Sequence, residues 1–194
     1  MSLTFETLRN AQVADALEHL ARLRAEVFRD WPYLYDGDPE TEAAYLRSYK
    51  ETEGAILIAA KDGARIVGCA TGMPLASHED ASDVPLGSLG LDVDQVFYCA
   101  ESVLLPDYRG MGAGHAFFDR REEHAREMGF EVSMFCAVER PEDHPLKPDD
   151  ARSLAPFWAG RDYEARDAHV AMTWRDIDED EPREKRLRVW TKKL

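Results

Sequence analysis

The residues best placed to do chemistry lie in one run, Glu101-Ser-Val-Leu-Leu-Pro-Asp-Tyr-Arg-Gly-Met-Gly-Ala-Gly-His115. A strand ends at Pro106, and a glycine-rich turn then opens a long helix. Glycines remove side chains, so backbone N–H groups can close on an anion. The helix N-terminus adds unpaired donors and the positive end of a dipole. Arg109 adds a full charge at the rim. The run therefore predicts a pyrophosphate cradle. A P-loop would need Gly-Lys-Ser/Thr, and no lysine is present. A dinucleotide fingerprint, G-x-G-x-x-G, would need glycine at His115 or Phe117, and fails at both. What remains is Arg-x-x-Gly-x-Gly at Arg109, Gly112 and Gly114, preceded by Val-x-x-Pro at Val103 and Pro106.

The elements around this run must hold it. Thr4 to Leu8 reads as a strand. Asn10 can cap a helix whose Val13, Ala16, Leu17, Leu20, Leu23 and Val27 share a face. That helix stops near Asp30-Trp31-Pro32, since the residue before proline avoids helical backbone. Asp38-Pro39-Glu40 starts a second helix through Tyr45, Leu46 and Tyr49. Ala55 to Ala60 is a buried strand, Asp62-Gly63 a hairpin turn, and Arg65 to Met73 the partner strand. Pro74 to Asp94 is a long polar loop, and Gln95 to Leu105 the strand that leads into the cradle. A helix over Gly112–Met128 ends at Gly129. Glu131 to Val138 is a strand, Arg140 to Ser153 a proline- and acid-rich loop, and Leu154 to Ala159 a short helix. Ala168–Trp174 and Arg186–Thr191 alternate like strands around a charged turn. The order β-α-α-β-β-β-α-β-α-β-β predicts a mixed α/β fold in one domain over residues 1–194.

Composition narrows the function. With 194 residues the chain is long enough for one well-packed domain. No apolar run approaches the ~20 residues that cross a bilayer, and no basic-then-apolar leader precedes the first strand. No membrane partner is expected. Cys69, Cys99 and Cys136 are scattered and odd in number, which suits buried free thiols in a reducing cytoplasm. The formal net charge is −14. That balance argues against nucleic acid and attracts cations, a charged amine among them. The six histidines lack metal-ligand spacing; His115 and His124, nine positions apart on one helix, do not share the i, i+4 face. No metal is expected.

The run resembles the GNAT acetyltransferase superfamily, whose central motif is Gln/Arg-x-x-Gly-x-Gly/Ala at a strand-to-helix junction, and the surrounding order of elements looks like that superfamily over nearly the whole chain. The resemblance implies a GNAT-like α/β fold, with a central sheet of about seven strands and about four helices. The strands carrying Glu101 and Cys136 would splay apart to admit acetyl-CoA. Backbone amides of Gly110, Met111, Gly112, Ala113, Gly114 and His115, with Arg109, would hold the CoA pyrophosphate. Main-chain groups of Val103, Leu104 and Leu105 would pair with the pantetheine arm, and Trp158 would lie against the cofactor. A homodimer fits the resemblance too.

Acetyl transfer to an amine needs a base, because an amine of reference pKa ~10.4 is mostly protonated at neutral pH. It needs an oxyanion donor, and a proton for the departing thiolate. The family often uses a carboxylate on the central strand as base, which points to Glu101, with Glu139 in reserve. The oxyanion donor would be a backbone N–H near Val103 or Leu104. The family's acid is often the tyrosine of an aromatic-Tyr-x-x-x-Gly-Phe segment. This chain has Phe157-Trp158-Ala-Gly-Arg-Asp162-Tyr163 there, so Trp158 stands where the tyrosine would be and Asp162 replaces the glycine. Tyr98 is the substitute acid, with Tyr108 and solvent as alternatives. An asparagine that often follows the fifth strand is absent, with Asp143 nearby.

The acceptor would be a small-molecule or peptide amine. In the family the connection between the first two helices lines its site, and here Trp31, Tyr33 and Tyr35 are interleaved with Asp30, Asp36 and Asp38. Aromatic faces and acids suit an ammonium. The loop with His78, Glu79, Asp80 and Asp83 could cover that site. Trp158 and the missing asparagine also support an alternative, a CoA-binding module without transferase activity, which would bind CoA and turn over no amine.

Overall fold

The computed structural model describes residues 2–9, 11–78 and 82–194. The Asn10 cap and the lid residues Glu79 and Asp80 lie outside the described residues. Strands β1 (Leu3–Leu8), β2 (Ile56–Asp62), β3 (Arg65–Pro74), β4 (Val96–Leu104), β5 (Val132–Val138), β6 (Glu164–Trp174) and β7 (Arg183–Lys193) form one sheet in the order β1-β2-β3-β4-β5-β7-β6. All neighbours are antiparallel except β4 and β5. The helices are α1 (Ala11–Phe28), α2 (Pro39–Glu51), a single turn α3 (Leu86–Leu89), α4 (Ala113–Glu127) and α5 (Ala155–Ala159). The mixed fold read from the sequence is the one observed, with α3 as an added turn inside the long polar connection.

Local chemistry accounts for the boundaries. Asp38 caps α2, its side chain accepting from the backbone N–H of Glu40 and Thr41, with proline in the first turn. Gly63 takes φ +59 in the β2–β3 hairpin. Gly129, φ +85, ends α4. β2 is buried from Ile56 to Ala60, as a central strand covered on both faces must be. Cys69, Cys99 and Cys136 are buried free thiols.

The β4–β5 pair has the feature that matters most for function. Its ladder holds only Val96↔Val132, Phe97↔Ser133 and Tyr98↔Met134. β4 then runs on to Leu104 and β5 to Val138 without pairing to each other. The central strands therefore splay from an apex at Tyr98, as expected from the resemblance. On its other side β4 bulges against β3: Tyr98 faces Met73 and Glu101 faces Thr71, three steps of one strand against two of the other.

Candidate active site

The cradle is formed by backbone. Gly110 and Gly112 take φ +78 and +84, the left-handed region that favours glycine. A Cβ built on either would meet nothing within 4 Å, so open space stands above both. Gly112 precedes α4 and no side chain caps that helix. The first intrahelical bond on this turn runs from Ala116 N–H to Gly112 C=O. The N–H groups of Ala113, Gly114 and His115 are thus helix-start donors without a helical acceptor. Gly114 lets Phe157 approach, since a Cβ there would sit 3.1 Å from its ring. Arg109, Gly110 and Met111 are exposed at the rim. Exposed His115 accepts from Arg161 across 3.1 Å. Open space, aligned donors and a guanidinium fit a pyrophosphate.

Val103 and Leu105 are buried and Leu104 half-buried at the end of β4, beyond its pairing with β5. Leu105 N–H is bonded to Val67 C=O at 2.9 Å, and Leu104 C=O accepts from Arg109 Nε at 3.4 Å. The edge of β4 that β5 leaves uncovered faces the splay, where an extended chain could add as a strand. Trp158 packs against Phe135 of β5 and Trp190 of β7, at 5.0 and 5.1 Å between ring centres. The tyrosine of that segment, Tyr163, is buried, and its hydroxyl lies 2.6 Å from Ser133 Oγ. Burial pushes its pKa far above the ordinary range, so it stays protonated.

Glu101 and Tyr98 stand on one face of β4 because of the bulge. In a regular strand, residues three apart point to opposite faces. Here the extra residue restores the face: Glu101 meets Arg24 of α1, and Tyr98 meets His78, itself beside Tyr45 of α2. Tyr98 packs edge-on against His78, 4.7 Å between centres. Glu101 forms an ion pair with Arg24 of α1. The same guanidinium donates to Glu42 of α2 at 2.6 Å and lies over the rings of Tyr45 and Phe28. The three charged side chains are nearly buried, Glu101 being 12% exposed. From the opposite face, Arg121 of α4, 1% exposed, pins the bulge. It donates to the carbonyls of Thr71 and Glu101 at 3.1 and 2.9 Å and to Ser102 Oγ at 3.0 Å. Arg24, Glu42 and Arg121 escaped sequence reasoning as site residues, although each left a trace. Arg24 falls on the Leu17-Leu20-Val27 stripe of α1, Glu42 on the Tyr45-Leu46-Tyr49 face of α2, and Arg121 interrupts the apolar face of α4.

The acceptor loop is packed as well as polar. Trp31 meets His144 edge-on at 5.4 Å, and Tyr33 lies between Phe28 and Trp174. Burial raises the Tyr33 pKa to about 12. Burial, then the charge and hydrogen bond of Glu42, raise that of Tyr35 to about 12. Tyr35 and Glu42 thus join the loop to the Arg24 cluster. Glu139 is engaged elsewhere, with Arg188 at 2.6 Å and His169 at 3.0 Å. Burial raises its pKa, but the hydrogen bond and charge of Arg188, with His169, outweigh this and hold it low. Tyr108 donates to Asp62 at 3.0 Å on the β2–β3 side.

His78, beside Tyr98 and 3.3 Å from the Tyr45 hydroxyl, is 7% exposed, and burial pushes its pKa down to about 4. The folded state therefore keeps it neutral while the unfolded chain, near 6.5, takes up the proton first. Stability from this group is complete above pH ~6.5 and is lost as pH falls toward about 4, by about 3 kcal/mol in all. Urea unfolding of His78→Gln between pH 7 and 4.5 is expected to show a flatter pH dependence than the wild type. Equal slopes would contradict the buried neutral imidazole.

No curated protein matches the chain. Among solved structures, one similar fold is the ribosomal-protein-alanine N-acetyltransferase of Brucella melitensis, at 16% identity and TM-score 0.62, covering all of both chains. The yncA protein of Salmonella typhimurium, solved with its cofactor acetyl-CoA, has 14% identity and TM-score 0.60, over 100% of this chain and 95% of that one. The paia N-acetyltransferase of Thermoplasma acidophilum, solved with coenzyme A, has 12% identity and TM-score 0.55 over all of both chains. The family model described as acetyltransferase (GNAT) matches residues 20–147, which include the C-terminal half of α1, the splayed strands and the whole cradle. The chain belongs to the GNAT acetyltransferase family.

Proposed function

We propose that the protein transfers the acetyl group of acetyl-CoA to a primary amine by direct attack. The observation that carries this reading is the open glycine cradle at the mouth of a β4–β5 gap whose apex is Tyr98. The cradle from Arg109 to His115 holds the pyrophosphate, and the β5-facing edge of Val103–Leu105 holds the pantetheine arm, with Trp158 flanking it. The solved relatives named with acetyl-CoA and coenzyme A support the choice of cosubstrate. GNAT acetyltransferases act on small-molecule or peptide acceptors, and the Brucella relative is named for a protein alanine.

In this reading Trp31, Tyr33 and Tyr35 offer aromatic faces to the acceptor. The amine loses a proton toward Glu101, its nitrogen bonds the acetyl carbon, and the carbon–sulfur bond breaks. Tyr98, on the same face, returns a proton to the leaving thiolate. Glu101 is already engaged by the Arg24 guanidinium. A bridging water therefore suits the proton transfer better than direct contact. Glu101→Gln is expected to lower kcat by about 100-fold or more and to change the shape of the pH–rate profile, with acetyl-CoA affinity retained. An unchanged profile would move the base to another residue.

Two observations favour a second reading, a CoA-binding module without turnover. Glu101 is ion-paired with Arg24, and an indole holds the place of the family's acid. Tight acetyl-CoA binding with no acetylation of a diamine, an aminoglycoside or an alanine-terminated peptide would establish it.

A further inference from the structure

Three segments far apart in sequence converge on the carbonyls of the acceptor loop. Arg140, just past the end of β5, is nearly buried. Its Nε donates to Pro32 C=O at 2.8 Å and its Nη2 to Tyr33 C=O. The other edge of the fork is fixed by Asp176, at 2.6 and 2.9 Å. Lys185 of β7 lies 3.1 Å from the same carboxylate. Trp174 Nε1 donates a second bond to Tyr33 C=O at 3.1 Å, while the Arg140 guanidinium sits over the indole. The backbone closes the junction: Ile177 N–H reaches Leu34 C=O at 2.7 Å and Asp36 N–H reaches Arg175 C=O at 2.9 Å.

We infer that Arg140, oriented by Asp176, is the positioning residue of the acceptor loop, and so a determinant of which amine the protein accepts. The inference rests on the transferase reading above. A loop held only by its own turns would let Trp31, Tyr33 and Tyr35 wander. A guanidinium fork supplies several donors in fixed geometry, and a buried carboxylate keeps that fork from rotating. Arg140 touches main-chain oxygens of the loop, so it acts on the acceptor through Tyr33 and its neighbours. Lysine at this position would keep the charge and lose the fork.

The test compares wild type, Arg140→Met, Arg140→Lys and Asp176→Asn by amide hydrogen exchange, acetyl-CoA titration and steady-state acetylation. The acceptors are a diamine, an aminoglycoside and an alanine-terminated peptide. The expected result is exchange at least 10-fold faster at Leu34, Asp36 and Ile177 in Arg140→Met and Asp176→Asn, with the β2 and β3 amides unchanged. Affinity for acetyl-CoA stays within twofold of wild type. KM for the best acceptor rises at least 10-fold while kcat changes less, and Arg140→Lys recovers only part of the loss. Exchange that rises across the whole sheet, or not at all, would overturn the inference. So would loop exchange that rises with KM unchanged. A wild type that binds acetyl-CoA and acetylates none of the three would defeat the transferase reading and with it the acceptor role. The loop exchange would still decide whether Arg140 holds the segment.

Discussion

Gly112→Asp is expected to weaken acetyl-CoA binding by at least about 100-fold, near 2.7 kcal/mol, while the protein stays folded. The open space above Gly112 is where the cradle would receive a phosphate, and a carboxylate there meets it with like charge. The new side chain must also adopt φ near +84, a strain on the order of 1–2 kcal/mol that aspartate tolerates better than most residues. Gly63→Asp separates the two effects. Gly63 has positive φ and nothing within 4 Å of a built Cβ, but it lies in the β2–β3 hairpin away from the cradle. Titration calorimetry of both variants beside the wild type reads the difference. Binding lost only in Gly112→Asp places the pyrophosphate on this turn. Equal losses would reduce the effect to backbone strain, and retained binding in Gly112→Asp would remove the cradle from the site.

Arg24→Met carries the largest expected cost to stability, about 3–5 kcal/mol. The guanidinium stands between Glu42 and Glu101 and is itself nearly buried. Its removal leaves two carboxylates facing each other with little water, and one must take up a proton. The sign of the pH dependence follows. A carboxylate whose folded pKa rises above its unfolded value of ~4.3 stabilises the fold only at low pH, and this contribution disappears as pH rises through the folded value. Arg24→Met is therefore expected to unfold in less urea at pH 7 than at pH 5. The double variant Arg24→Met/Glu42→Gln should recover part of the loss, because only one carboxylate then remains uncompensated. Turnover should fall in the single variant beyond what its folded fraction explains, since Arg24 also fixes where Glu101 points. A single variant as stable as wild type at pH 7 would show that the triad contributes no net stability, an outcome known for some buried ion pairs.

Much of this protein is local in origin and was legible in the chain. The Arg109–Gly112–Gly114 spacing reports a positive-φ turn before a helix, because only glycine takes that backbone freely, and the protein has that turn at Gly110 and Gly112. The cap at Asp38 and the hairpin at Gly63 are likewise set by neighbouring residues. The seven strands could be traced, with boundaries adjusted by a few residues, because their apolar runs must be covered by other elements. The relation between Glu101 and Tyr98 was not legible in the same way. Alternation puts residues three apart on opposite faces, and only the register of β4 against β3, held by buried Arg121, brings them to one side. The partners of Glu101 also lie outside local reach. Arg24 and Glu42 read as polar interruptions of apolar stripes until α1 and α2 pack over β4 and one guanidinium meets both carboxylates. The clamp on the acceptor loop is the extreme case, since Arg140 and Asp176 join Pro32 and Tyr33 across more than a hundred positions of sequence. Backbone propensity acts between neighbours in the chain and can be read there. Charge pairing and strand register act between neighbours in space, and only the folded chain decides which residues those are.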